Sequence, residues 1–308
     1  MSFVQRAITV VITAGPNTGI TFGPSRENTL VLKGYRVSAT IDYAGGVSMA
    51  WAQISVFGMN MSDMNALSSI AQPYYFGNKN VVSILAGDAE SGMSLVFHGN
   101  LQQAVVNMAQ APAISFDMTA YSWYDLAMTP VPPASFSGAA DVATIMSSIA
   151  AANGMLFENN GVSAVLSNPY FPGTALQQIK DCAQAAGINY VIDPVKAGQT
   201  GGPGGNGTLA IWPRFGNRAG KPPLISPQTG MIGYPRYTAY GIDVDMLFNP
   251  NLLFGGELQV QSSLTPACGT WTIYSISHSI ECITKDGDWL TTASCWKPAI
   301  AKTQLGIG

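Results

Sequence analysis

The sequence is poor in charge. Asp, Glu, Lys and Arg together make up 10% of its 308 residues, against about 25% in an ordinary globular protein. The net charge is −3 and no cluster of Lys or Arg occurs, so the basic stripe of a sequence-specific nucleic-acid binder is missing. A near-neutral wall would still let DNA slide past, because phosphate attraction needs clustered positive charge. No apolar stretch reaches the roughly 20 residues that span a bilayer. The short apolar run near the start alternates (Val4, Arg6, Ile8, Val10, Ile12), is broken by Thr9 and Thr13, and ends at Gly15-Pro16-Asn17. It reads as a strand rather than a secretory leader, which predicts a soluble protein made in the cytoplasm. Cysteine is also scarce: four residues with no C-x-x-C pair make no disulfide framework. Cys182 falls within a helical pattern and reads as a small core residue.

What fills the polar positions is Ser, Thr, Asn and Gly, and many of the apolar ones are β-branched. That combination suits a β-rich protein whose surface is covered by other subunits, and equally a secreted β-sandwich. At this length two or three domains are expected. Thr29–Tyr43 and Ala50–Gly58 alternate clearly, and Val81–Ala86, Ser94–Phe97, Asn100–Met108 and Ala113–Ala120 read as further strands. The one helical interruption, Met59–Ile70, has Asp63 or Ser62 as candidate caps. Many short strands with Gly, Asn and Asp turns indicate a barrel or sandwich over residues 1–128.

Thr129-Pro130-Val131-Pro132-Pro133 reads as a stiff linker. Beyond it come two helix-then-strand units. Ala140–Ala152 gathers Val142, Ile145, Met146 and Ile149 on one face, and Thr174–Ala186 gathers Leu176, Ile179, Cys182, Ala183 and Ala186. Short strands Met155–Glu158 and Ile188–Ile192 follow them. Residues 129–198 are therefore expected to form a small α/β module, and residues 199–308 a second β domain with its connecting segment. In that last domain Glu257–Ser263, Trp271–Ile283 and Trp289–Cys295 read as a meander. Along Trp271–Ile283, Trp271, Ile273, Ser275, Ser277, Ser279 and Glu281 share one face, and Tyr274, Ile276, His278, Ile280 and Cys282 the other.

No stretch carries recognisable chemistry. Gly202, Gly204 and Gly207 fit G-x-G-x-x-G, but a dinucleotide site needs a strand before the motif and a helix after it. Here a strand follows and Pro203 interrupts, which fits a hairpin tip or loop. The nearest approach to a nucleophile elbow, Gly46-Val47-Ser48-Met49-Ala50, lies between strands. His278, Cys282, Cys268 and Cys295 match no zinc spacing. The acids Glu27, Asp63, Asp88, Glu90, Asp125, Glu158 and Glu257 sit mostly at turns or strand ends, where solvation keeps them ordinary, rather than in the apolar settings of glycosidase acids. No catalytic, cofactor-binding or metal-ligating residue is predicted.

One set of motifs does point to a family. Asn249-Pro250, Leu252, Gly255-Gly256, Gly269, Trp271, Ile273, His278, Ile280-Glu281, Trp289 and Thr291 resemble the N-P-x-L-x-x-G-G … G-x-W-x-I-x-x-x-x-H-x-I-E … W-x-T pattern of phage tail-hub proteins. That family includes late-control protein D and the hub portion of type VI secretion spikes. Val96–Ala104 (VFHGNLQQA), Asn168–Ile179 (NPYFPGTALQQI) and Ser226–Pro235 (SPQTGMIGYP) are similar to hub segments as well. The resemblance implies a mainly β fold with two related β-barrels per chain and a small α/β insertion. It implies a structural, non-enzymatic homotrimer that forms a pseudo-sixfold ring around the DNA channel in the virion tail. The implied partners are the tail tube or distal tail protein, the central spike, baseplate wedge proteins and the tape measure protein. A strand-histidine-strand run at Phe97–Ala120 resembles the one at Ile276–Ala293, as two corresponding barrels would require, although unrelated hairpins produce the same likeness. The competing readings are a tail-associated peptidoglycan hydrolase and a secreted carbohydrate-binding β-sandwich.

Overall fold

Period-two alternation of β-branched residues builds most of this molecule. A computed structural model describes residues 5–16, 18–23, 25–44, 48–68, 79–109, 111–194 and 207–297. Its contacts divide the chain into two units. The first comprises Met1–Tyr43, Met49–Tyr124 and Ser277–Thr291, and the second Ala44–Ser48, Asp125–Ile276 and Thr292–Gly308.

The first unit holds β1 (Arg6–Thr13), β2 (Thr29–Lys33), β3 (Arg36–Tyr43), β4 (Trp51–Phe57), α1 (Met61–Leu67), β5 (Val81–Asp88), β6 (Gly92–Asn107) and β7 (Ser115–Tyr121). The strands pair antiparallel in the order β2-β1-β5-β6-β7-β4-β3. Alternate residues turn inward, among them Val37, Ile41, Ile54, Val56, Ile84 and Phe116, all fully buried. Each such aliphatic side chain contributes about 1.5–3 kcal/mol by leaving water. The cap of α1 lies two residues before Ser62 and three before Asp63, the expected caps. Asn60 is the N-cap and accepts a hydrogen bond from the Asp63 backbone N–H at 2.8 Å. The two strands expected at Ser94–Phe97 and Asn100–Met108 are one, β6, with a register shift between Leu101 and Gln103. Gly99 reads as a strand breaker, yet it sits inside β6 because the neighbouring strand approaches closely. A Cβ there would stand 2.6 Å from the Tyr121 carbonyl oxygen.

The chain then passes through α2 (Tyr124–Met128), β8 (Ala134–Ser135), β9 (Ala139–Asp141), α3 (Val142–Ala152), β10 (Leu156–Asn159), β11 (Val165–Ser167), β12 (Tyr170–Phe171), α4 (Ala175–Ala186), β13 (Ile188–Asp193) and β14 (Thr208–Pro213). Asp141 caps α3 by accepting from the Thr144 N–H, and Thr174 caps α4 by accepting from the Gln177 N–H. Gly187 closes α4 in the left-handed conformation, φ 64°. The inward faces are Val142, Ile145, Met146 and Ile149 on α3, and Ala175, Ile179, Cys182 and Ala183 on α4. β14 lies beyond the residue-198 limit set for the α/β module in the sequence, and is the middle strand of its sheet, β10-β14-β13. It runs parallel to β10 and antiparallel to β13. The proline-rich linker is ordered: Val131 N–H donates to Gly173 at 3.2 Å, and Pro132 accepts from the Gln178 side chain at 2.9 Å.

Last come β15 (Leu224–Ile225), a 3₁₀ turn at Pro227–Thr229, β16 (Arg236–Tyr237), β17 (Gly241–Leu247), β18 (Glu257–Val260), β19 (Gly269–Cys282) and β20 (Trp289–Trp296). Their order is β16-β17-β20-β19-β18-β15. Two runs of four strands thus share one arrangement, β4-β7-β6-β5 and β17-β20-β19-β18, in which the first strand pairs with the fourth, the fourth with the third and the third with the second.

Strand β19 changes its burial pattern along its length. Trp271, Thr272 and Ile273 are all buried in its first half, whereas only the alternate residues Ile276, His278, Ile280 and Cys282 are buried in its second. The switch falls where the chain leaves the second unit at Ile276 and enters the first at Ser277. Past that point the β19–β20 hairpin end adds to the first unit beside β3. There Ser38 donates to the Glu281 carboxylate at 3.0 Å, and the Cys282 thiol donates to the Tyr35 carbonyl at 3.3 Å. Arg6 of β1 reaches the same hairpin, its guanidinium 5.6 Å from the Trp289 ring centre.

Candidate functional site

The histidines sit in structural surroundings. His278 Nδ1 lies 2.8 Å from Thr291 Oγ1 across the β19–β20 ladder, and Tyr43 packs edge-on against the ring with centroids 6.4 Å apart. Burial pushes the His278 pKa down to about 4, so the ring is neutral at pH 7. His98 Nδ1 lies 2.9 Å from Ser83 Oγ, and burial lowers its pKa too. A serine beside a histidine is the starting geometry of an activated nucleophile. Ser83, however, lies in the middle of a regular strand opposite His98, and among the described residues no carboxylate hydrogen-bonds that ring. A cross-strand pair accounts for the contact.

The sulfur atoms are equally dispersed. Cys182, Cys268, Cys282 and Cys295 are all free. Burial pushes the Cys182 thiol up to about 12 and raises Cys295 as well. The Cys268 sulfur accepts from the Ser262 N–H at 3.3 Å. Among the described residues no group of three or more His, Cys, Asp or Glu could hold a metal ion. Gly202 and Gly204 of the glycine-rich loop, and Gly46 and Val47 before Ser48, lie outside the described residues; Gly207 takes φ 77° just ahead of β14.

The strongest polar constellation is one the sequence does not announce. Arg218 is 4% exposed and pairs with Asp193 at 2.7 Å and Glu158 at 3.0 Å. Its side chain also donates to the Phe254 carbonyl at 3.2 Å, and its backbone N–H to Gly255 at 2.7 Å. Burial alone would lower the Arg218 pKa; Asp193 and Glu158 outweigh it and raise the value. The arrangement ties the ends of β10 and β13 to the segment that leads into β18. Breaking a buried ion pair by removing one partner costs about 3–5 kcal/mol. The cluster is an anchor between these segments.

The motif residues named above also prove to be scaffolding. Gly255 has φ 75°, and a Cβ there would meet the Trp212 ring at 2.5 Å. Trp271 Nε1 donates to the Ala267 carbonyl at 2.8 Å, and the Lys297 ammonium lies 4.2 Å from the Trp271 ring centre. In SPQTGMIGYP, Ser226 and Thr229 form a reciprocal capping box. In NPYFPGTA, Asn168 takes φ 49° and its side chain accepts from the Gly138 N–H at 2.7 Å. These positions fix loop geometry.

Residues 17–295 match the family model of the baseplate hub gp41. The chain belongs to that family. No curated protein matches it in sequence. Solved structures share the fold of this hub-family chain at low identity. The tail protein from Neisseria meningitidis MC58 superposes with a TM-score of 0.60 at 9% identity, over 94% of this chain and 96% of that one. The 43 kDa tail protein of prophage MuSo2 from Shewanella oneidensis gives 0.57 at 10% identity, over 94% and 96%. The E. coli c3393 protein, a type VI secretion component similar to the T4 tail proteins gp27 and gp5, gives 0.55 at 9% identity, over 85% and 73%. The fold is therefore that of phage tail proteins, and membership in the hub family makes the chain a component of the virion tail.

Proposed function

We propose that this baseplate hub protein assembles as a homotrimer whose ring joins the tail tube to the central spike and surrounds the DNA channel. The repeated strand order, β4-β7-β6-β5 and β17-β20-β19-β18, carries the reading. A chain that offers two similar faces lets three copies present six, which matches a sixfold tube to a threefold spike by closed symmetry. The low charge, 10% of residues, suits both subunit contacts and a channel along which DNA slides without sticking. The α/β insertion lies outside this ring, where it does not narrow the channel. The ring's neighbours are the tail tube or distal tail protein above, the spike below, wedge proteins around it and the tape measure protein within. The role is mechanical, and His98 and His278 serve stability and assembly only.

Native mass spectrometry of the purified protein tests the assembly. A species of three times the 32.4 kDa chain mass is expected. A monomer at high concentration, together with a monomeric position in the intact tail, would overturn the trimer. A zymogram on bacterial cell walls should stay blank for wild type; lysis that is lost in His98→Ala or His278→Ala with folding intact would return the hydrolase reading.

A further inference from the structure

Beside the SPQTGMIGYP segment lies an open groove of about 600 Å³, a size at which small ligands bind. One wall is Pro227, Gln228, Met231 and Tyr234, and the other runs through Gln261 and Ser263 just past β18. Three properties define its chemistry. Tyr234 is 67% exposed, an aromatic face offered to solvent, while Met231 is buried and forms an apolar base. Among the described residues, the side chains of Gln228, Gln261 and Ser263 make no hydrogen bond within the chain, which leaves amide and hydroxyl donors and acceptors turned to the groove's solvent. No lining side chain is charged at neutral pH.

The absence of charge argues against a phosphate, a nucleotide or a metal ion, each of which needs a compensating charge. What remains is a ligand with apolar ring faces and many neutral hydroxyls. We propose that this groove binds a neutral oligosaccharide, one sugar ring stacking on Tyr234 and its hydroxyls exchanging hydrogen bonds with Gln228, Gln261 and Ser263. Both walls are already fixed. Ser226 N–H donates to the Thr229 hydroxyl at 2.8 Å and Met231 N–H to the Ser226 carbonyl at 2.9 Å, while Leu264 N–H donates to the Ser262 hydroxyl at 3.2 Å. A preformed wall spares the ligand the cost of ordering a loop. An extended peptide is the other neutral guest, but β18 already pairs with β15 on one side and β19 on the other, and the Gln261 N–H donates to the Ile225 carbonyl at 2.9 Å, which leaves no open edge there for a strand to join. The inference does not depend on the trimer, and each can fail alone.

Saturation-transfer NMR on the full chain tests it with two probes, a tetramer of N-acetylglucosamine and a tetramer of glucose, each at millimolar concentration. Transfer to at least one sugar is expected. Tyr234→Ala should weaken it about tenfold, the size of one lost aromatic contact, and Gln261→Ala should weaken it less. Both positions are exposed, so circular dichroism should show unchanged folding in each variant. No transfer to either sugar, or transfer that Tyr234→Ala leaves intact, overturns the proposal. So does an unstructured peptide that shows Tyr234-dependent transfer where the sugars show none.

Discussion

Two runs of strands in this chain have the same order and use their histidines differently. In β4–β7 the long third strand is β6, and His98 lies on the part of β6 that pairs with the second strand, opposite Ser83 of β5; pairing with β7 begins only at Asn100. In β17–β20 the long third strand is β19, and His278 lies beyond the part paired with β18, which extends from Gly269 to Thr272. Its partner Thr291 is on the fourth strand. The two histidines therefore occupy opposite halves of equivalent strands. His278 is 5% exposed and wholly enclosed, while His98 is only partly covered. Order of pairing is set by turns and alternation along whole strands, so it is robust. The position of one polar residue depends on which cavity a single side chain fills.

The largest expected effects test the shared order itself. Gly99 in β6 and Gly241 at the start of β17 each face the fourth strand of their run, where a Cβ would stand 2.6 Å from the Tyr121 carbonyl oxygen and 2.1 Å from that of Cys295. Alanine at either position should destabilise by roughly 3–5 kcal/mol in denaturant unfolding, with the greater loss at Gly241. A change under about 0.5 kcal/mol at one of them would mean that the close strand approach is unique to the other run.

Smaller, and aimed at the contrast between the histidines, is the pair His278→Ala and His98→Ala. The first opens a cavity and removes the buried hydrogen bond to Thr291, for a loss of about 2–4 kcal/mol. The second removes one partly covered hydrogen bond, about 1 kcal/mol. Equal losses would erase the distinction in burial.

The pH dependence isolates the buried ring itself. His278 has a folded pKa of about 4, below the roughly 6.5 of an unfolded chain. A depressed histidine pKa means that the folded state holds the neutral ring. The associated stability is fully present above pH 6.5 and is lost as pH falls toward 4. At pH 5 the loss is about 2 kcal/mol relative to His278→Gln. His98 shifts in the same direction. If unfolding curves of wild type and His278→Gln run parallel between pH 6.5 and 4, the ring is solvated and the contrast between the two regions disappears.

Much of this architecture was legible from residue patterns. Both module helices were visible because their apolar stripes recur at helical spacing, and the ends of α4 carry Thr174 and Gly187. β3, β4, β7 and β20 were visible because each buries every second residue. β6 was misread as two strands because Gly99 breaks a pattern that only a close neighbour explains. The two faces of β19 follow from alternation, but alternation cannot reveal that both are buried at Trp271, Thr272 and Ile273 and only one beyond them. The Arg218 cluster had no local signal at all: Glu158 is 60 residues from its partner and reads like any acid at a strand end. The groove around Tyr234 was hidden for a similar reason, since its two walls come from segments that alternation treats separately.

The hairpin end Ser277–Thr291 belongs to the first unit while everything from Asp125 to Ile276 belongs to the second. During synthesis this sets a clock. Domains ordinarily fold in the order in which they emerge, but here β3 and Arg6 wait for a strand encoded more than 200 residues later, as the Ser38–Glu281 separation of 243 residues shows. The first unit gains its final strand only after the whole of Asp125–Ile276 has been made. A chain that stops before Ser277 therefore leaves the β3 edge without its β19 neighbour.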